Sequence, residues 1–211
     1  MSSASAPPPR GRPRRAELDD AILDACFAVL SAVGYARMSI DTVARRAGVT
    51  RPTVYRRWPG KEELTIAALS RAQAGIVDLP DTGDVRHDLT AQLRSLRQTL
   101  TRPHGMAVIG SMLAEEHTSP ALLAGFRTRV VAQRRAPIHR ILARLGRGEE
   151  ATEAAVDLLV GACYAAYVAG GPMSDEWVDT VVDLLLGAPA GVEQPVSGSP
   201  GSTPGSPHSP R

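Results

Sequence analysis

The chain has 211 residues, 43% apolar and 22% charged, enough apolar material for a sizeable core and too much for a disordered chain. Formal net charge is only +2, but residues 1–61 carry eleven Arg or Lys against five Asp or Glu, and the remainder thirteen against seventeen, so a basic front precedes an acidic body. Two cysteines exclude a disulfide framework and a paired-cysteine metal motif, no secretory h-region leads the chain, and no run reaches the roughly 20 apolar residues that span a bilayer, so cytoplasm is the expected compartment and no membrane partner is expected.

Residues 1–15 are predicted to be a disordered basic arm. Its Arg10-Gly11-Arg12-Pro13-Arg14-Arg15 run resembles an AT-hook: glycine permits close approach, and flanking arginines such as Arg12 seek the negative potential of a narrow minor groove. A solvated tail is the plain alternative. Residues 16–33 form a first helix with Leu18, Ile22, Ala25, Cys26 and Val29 inward, stopped by Gly34. Ser39 caps a second helix, in which Ile40, Val43, Ala44 and Ala47 make an apolar stripe and which Gly48 ends. Thr50 caps a third, with Pro52 in its first turn and Val54 and Trp58 inward. Arg51, Thr53, Tyr55, Arg56 and Arg57 remain for its surface. Helix, glycine turn, then a helix whose start is basic and hydroxylated is the helix-turn-helix arrangement, and its second helix enters a major groove. Arg51 and Thr53 lie at the end expected to meet base edges, with Pro52 between them. A fourth helix opens at Lys61 after Pro59-Gly60 and runs to about Val77.

Ser39-Ile40, Val43-Ala44, Ala47-Gly48-Val49, Thr53-Val54-Tyr55, Trp58 and Lys61 together resemble the DNA-binding module of the TetR family of bacterial transcriptional regulators, as does the stretch from Ala25 to Gly34-Tyr35. The resemblance covers about a quarter of the chain; beyond residue 75 only helical pattern and length carry it. It implies that Tyr55 and Lys61 hold phosphates, and Ser39 and Thr42 are placed to do the same, fixing register without reading sequence. Pro52 stands where many members have glycine.

The body begins after the loop at residues 79–83. One helix is expected from Asp84 to Leu100, with Val85, Leu89, Leu93, Leu96 and Leu100 on one face, and a short one over residues 105–116. A long helix starts at Ser119-Pro120, and Pro137 is expected to kink it. Residues 150–170 are apolar nearly all round, so that helix needs burial on two faces. One face meets its own core. The other is expected to meet a second copy through Leu158, Gly161, Ala162, Ala165 and Tyr167. A last helix, residues 173–187, adds Trp177, Val181, Leu184 and Leu185, with Asp175, Asp179 and Asp183 opposite. A four-helix homodimer interface is also what the resemblance implies.

The expected fold is therefore all-α: an N-terminal three-helix helix-turn-helix domain over residues 16–75, a C-terminal helical bundle over residues 76–188 for ligand binding and dimerisation, and a disordered tail over residues 189–211. The resemblance implies a pocket for a small apolar effector, and Met106, Ile109, Met112, Leu113, Phe126 and Tyr164 are candidates to line it. No acid, base, nucleophile or phosphate loop stands out, the five histidines show no metal-ligand spacing, and no cofactor or metal is expected. The reading is a sequence-specific regulator, a ligand-responsive homodimeric repressor on a palindromic double-stranded DNA operator. The alternatives are an architectural protein of AT-rich DNA and a helical-bundle enzyme.

Overall fold

The structure is a computed structural model and describes residues 12–74 and 79–187. The segments 1–11 and 188–211, on which most of the arm and all of the tail fall, lie outside it, as does the end of the fourth helix predicted to reach Val77. Every regular element among the described residues is helical.

Helix α1 (Arg12–Arg37) begins earlier than expected, so Arg12 heads a helix rather than a free arm. Pro13 suits that first turn because its ring pre-sets φ and its missing N–H has no intrahelical partner to lose. Gly34 breaks the helix with φ 74° and ψ 169°, as expected for a glycine stop. Helix α2 (Ile40–Arg46) is capped by Ser39, whose Oγ accepts the Thr42 backbone N–H at 3.2 Å. Helix α3 (Arg51–Tyr55) differs from expectation at its cap. The Thr50 hydroxyl pairs with that of Thr53 at 3.0 Å instead of accepting a backbone N–H. Pro52 offers none, and the Thr53 N–H already donates to the Thr50 carbonyl at 3.0 Å. Between α2 and α3, Gly48 takes φ 68°.

Val43, Val54, Ile22, Cys26 and Leu64 of α4 (Lys61–Gln73) are fully buried together, with Val49 and Trp58 packed against them. This core does not stop at the linker. It continues into Val108 and Met112 of α6 (Gly105–Leu113) and Leu122, Leu123 and Phe126 of α7 (Pro120–Phe126). The N-terminal helices are therefore seated on the body, and the Tyr35 N–H donates to Ser111 Oγ at 2.7 Å across that junction.

A second core joins α5 (Val85–Thr101), α8 (Ala132–Ala143), α9 (Glu149–Val168) and α10 (Asp175–Leu186). Leu89, Leu93, Leu96 and Leu100 are buried in it as the spacing predicts. The acidic face of α10 is not left to solvent: Arg86 pairs with Asp183, Arg94 with Asp175 and Asp179, and Arg97 with Asp175, clamping α5 to α10. A second irregularity accompanies Pro137 in this stretch. Pro137 lies buried inside α8, and the helical pattern departs upstream, in a π turn at Arg127–Val131, the other common cause of helix irregularity. The length argument against a membrane span also needs correction. Glu149–Ala169 is long and apolar enough to cross one, with mean hydropathy 1.3 over its best window. What α9 does here is bury Ala155, Val156, Leu159 and Cys163 in the second core and leave the opposite face open.

Candidate nucleic-acid interface and the body cavities

Arg51, the first residue of α3, reaches Asp41 in the first turn of α2 at 2.8 Å, so the starts of the two helices adjoin. Both side chains are about half exposed, at 56% and 48%. The Arg51 guanidinium also lies 5.9 Å from the Tyr55 ring centre, and a hydrogen bond to Tyr55, followed by the Asp41 charge, raises its pKa. Tyr55 is exposed, as is Pro52. Thr53 is half-buried, and its hydroxyl accepts from Arg56 Nη2 at 3.0 Å. Ser39 and Thr42 pair their hydroxyls at 2.8 Å at the start of α2. A surface of hydroxyls and guanidinium groups thus stands open beside one accessible carboxylate, able to donate to phosphates and base edges.

Two expected members behave differently. Arg57 is not a free surface cation: its side chain is 14% exposed, its Nε is bound to Asp19 of α1, and Nη1 donates to the Thr53 carbonyl at 3.0 Å. In this structure it ties the end of the reading unit to α1 and is not left on the open surface. Lys61 starts α4 with Nζ 4.0 Å from the Tyr35 ring centre, half-buried, its pKa lowered first by desolvation. The side chain of Arg12 lies outside what the structure describes. Arg45 and Arg46, in the last turn of α2, are exposed and have no carboxylate partner among the described residues, and the sequence reading passed over them. The signal was available, a basic pair ending the helix before the reading helix.

The six candidate pocket residues divide. Ile109, Phe126 and Tyr164 line one small cavity of about 40 Å³, beside Gln73, Leu96, Thr99, Leu100, Val130, Val131, Val160, Arg134 and Arg135. A second cavity, about 30 Å³, shares Gln73, Thr99, Ile109, Phe126 and Val130 with it. Met112 is fully buried in the first core and Met106 packs on the second, so both are packing residues. Leu113 points away and is 52% exposed, because the spacing that suggested a lining stripe continues past the turn of α6 that faces inward.

The interface candidates gather on one face. Leu158, Ala162, Val181, Leu184 and Leu185 line an open cleft of about 500 Å³ between α9 and α10. Leu158 is 65% and Leu184 67% exposed, and Tyr167 and Val168 are exposed nearby. Gly161 and Ala165 are exposed on α9, and Trp177 is half-buried against the second core.

The fold also brings His139 to 3.2 Å from Glu149 and 3.4 Å from Glu153, a grouping that could hold a cation and that sequence spacing concealed. Arg135 already pairs with one of the three, Glu153, at 2.7 Å, and with Asp157 at 2.5 Å. An ion-paired surface is what the geometry supports. Cys26 and Cys163 are both free and buried, and desolvation pushes their thiols up to about 12 and about 11, which leaves them unreactive at neutral pH.

An exposed, basic and hydroxylated α3 held on α1, α2 and α4, with a helical body packed beneath it, defines a DNA-binding regulator of the helix-turn-helix class. The family model described as bacterial regulatory proteins, tetR family, matches residues 22–68, and that of the tetracyclin repressor-like C-terminal domain matches residues 79–185. The chain belongs to the TetR family of transcriptional regulators. It is 33% identical over 185 residues to the DNA-binding transcriptional repressor TetR of Mycobacteroides abscessus, covering 84% of this chain and 94% of that one. It resembles the crystal structure of the TetR family transcription regulator SCO0332 at TM-score 0.66 and 32% identity, covering 82% of this chain and 98% of that one. A likeness of fold extends to the flavonoid-responsive regulator FrrA, at TM-score 0.65 and 20% identity over 82% and 94% of the two chains.

Proposed function

We propose that this DNA-binding regulator is a ligand-responsive repressor that acts as a homodimer on a two-fold symmetric operator. The observation that carries the dimer is the apolar cleft of α9 and α10, where Leu158 and Leu184 stand about two-thirds exposed while the opposite faces of the same helices are buried. A second copy is the occupant that resolves such a face, and it presents a second α3 to the next major groove, about 34–36 Å away. Arg51 and Thr53 read base edges. Ser39, Thr42, Tyr55, Arg56 and Lys61 hold phosphates, joined by Arg45 and Arg46. Arg51 must exchange Asp41 for DNA, which weakens non-specific binding and sharpens the demand for a matched base.

The adjoining cavities support effector control. Gln73, the last residue of α4, lines both. A molecule that enlarges them moves the helix on which the reading unit rests, and it releases DNA to the extent that it prefers the displaced form. FrrA, whose fold is similar, is named as flavonoid-responsive, and the M. abscessus relative is named a repressor.

Selection of bound fragments from random double-stranded DNA tests the operator reading. The expected result is a palindrome whose affinity drops with Arg51→Ala together with Thr53→Ala. Salt-sensitive binding without sequence preference overturns it.

A further inference from the structure

Arg134 of α8 is 6% exposed, yet it has no carboxylate partner among the described residues. Its Nη1 donates to Ser95 Oγ at 3.2 Å and its Nη2 to the Gln92 carbonyl at 3.4 Å, both neutral acceptors. Its Nε is buried with no hydrogen-bond partner among the described residues. Other arginines of the body are treated differently: Arg86, Arg94, Arg97, Arg135 and Arg144 each hold an Asp or Glu. A buried charge without a counter-ion is costly, and removing it from water is repaid only by good opposite-charge geometry.

Among the described residues no carboxylate pairs with Arg134; Arg135, which lines the same cavity, holds Glu153 and Asp157 itself. Cys163 and Tyr164 are the nearest ionisable groups that would help, and burial raises both, so each is neutral at pH 7. Burial lowers Arg134 itself to about 10, still protonated, and the neighbouring charge of Arg102 adds to that lowering. Arg102 repeats the pattern on the second cavity. It carries a buried Nε without a partner, and its guanidinium lies 5.4 Å from the Phe27 ring centre. Around these two cations the walls are apolar: Leu96, Leu100, Ile109, Phe126 and Val160.

Resting on the effector reading above, we propose that the joined cavities take an amphipathic monoanion, an apolar aliphatic or aromatic carboxylate, whose charged end pairs with Arg134. A planar carboxylate matches the guanidinium fork and satisfies its free Nε. The apolar part lies along Ile109, Phe126 and Val160. Cationic molecules are disfavoured by both arginines. Cavities of about 40 and 30 Å³ hold little more than a water each, so the ligand enters by repacking their shared wall, Gln73, Thr99 and Phe126 included.

The test uses the full chain with hexanoate, octanoate, benzoate and 3-phenylpropanoate, each beside its primary amide and the matching amine. Thermal shift ranks them and calorimetry gives Kd. The expected result is stabilisation by one or more acids and not by their amides or amines, with Kd for the best acid at least tenfold weaker in Arg134→Met. Stabilisation by amides or amines equal to that by acids, no response to any acid, or an acid Kd unchanged in Arg134→Met overturns the proposal. Should Arg134→Met fail to fold, a crystal structure of the unsubstituted protein with the best acid decides: carboxylate oxygens on the Arg134 guanidinium support the proposal, and a carboxylate elsewhere overturns it. Operator binding is measured alongside. Failure to bind any operator sinks the repressor reading, whereas operator binding with no acid response sinks this inference alone.

Discussion

Arg51 and Arg57 belong to the same short reading unit, yet one is half open to solvent and the other ties α3 to α1. Arg51→Ala is therefore expected to weaken operator binding by about 1–3 kcal/mol and to relax preference at one base position, with thermal stability unchanged. Arg57→Ala is expected to do the reverse: a stability loss of about 1.5–3 kcal/mol in urea unfolding, with weaker binding that is uniform across operator sequences. If Arg57→Ala instead changes base preference at full stability, its assignment as a tie is wrong. Sequence treats the two alike, since both are arginines in the short stretch that starts with α3. Only the position of Asp19, 38 residues away, separates them. Asp88 is a second residue whose role lies in its surroundings. It is 2% exposed, accepts from the Thr82 hydroxyl at 2.7 Å and backbone N–H at 3.2 Å, and binds Arg144 at 3.2 Å. The Thr82 hydroxyl, with the Thr82 backbone N–H and Arg144 behind it, holds its pKa down to about 2. An unfolded aspartate titrates near 3.9, so the folded state binds its proton less readily. The stability this gives is fully present above about pH 4 and is lost as pH falls toward 2. Tm measured from pH 7 to pH 2 should fall less steeply over that window in Asp88→Asn than in the unsubstituted protein.

Within single elements, glycine matters in two physically different ways. Gly48 takes φ 68° between α2 and α3, and a Cβ built there meets nothing within 4 Å. Gly48→Ala is therefore expected to cost only the left-handed backbone strain, about 1–2 kcal/mol, and Gly48→Asn less, both read from urea unfolding. Gly105 opens α6 without a positive φ, but a Cβ there would lie 2.1 Å from the Thr99 carbonyl oxygen. Gly105→Ala must push α6 away from α5, and a loss larger than at Gly48 is expected; equal losses would mean that α6 shifts freely. Gly48 was legible because a glycine after an apolar helical stripe has a local explanation. Gly105 was not, because its constraint comes from another helix. Helix α9 shows the same division. Its all-round apolar character announced two buried faces, and the structure covers one and opens the other, though which residue lies on which face required α5, α8 and α10 to be in place.

At the scale of the whole molecule, the open α9–α10 cleft and the reading surface are separate, so disrupting one should leave the other's local structure intact. Leu158→Glu with Leu184→Glu is expected to yield a monomer in sedimentation, with helical content and Tm maintained, because both side chains are already about two-thirds exposed. Operator affinity should fall roughly 10²-fold or more, since the second half-site contact is no longer intramolecular. A variant that remains dimeric would place the interface elsewhere than this cleft, and a monomer that binds the operator undiminished would remove the dimer from the mechanism. The first core, running from α1 through α4 into α6 and α7, makes the reading unit and the body one packed structure rather than two beads on a linker.

The chain's own order of residues determined which segments are helices, where Ser39, Gly48 and Pro52 punctuate them, and that a basic front reads DNA, because caps, turns and apolar spacing act over a few neighbouring positions. Tertiary structure alone decided that Arg57 is a tie, that Leu113 faces solvent, that His139 meets two glutamates and that Arg134 is buried without a counter-ion among the described residues. Charge, burial and partnership depend on groups brought together from distant positions, and no local pattern records which distant group will arrive.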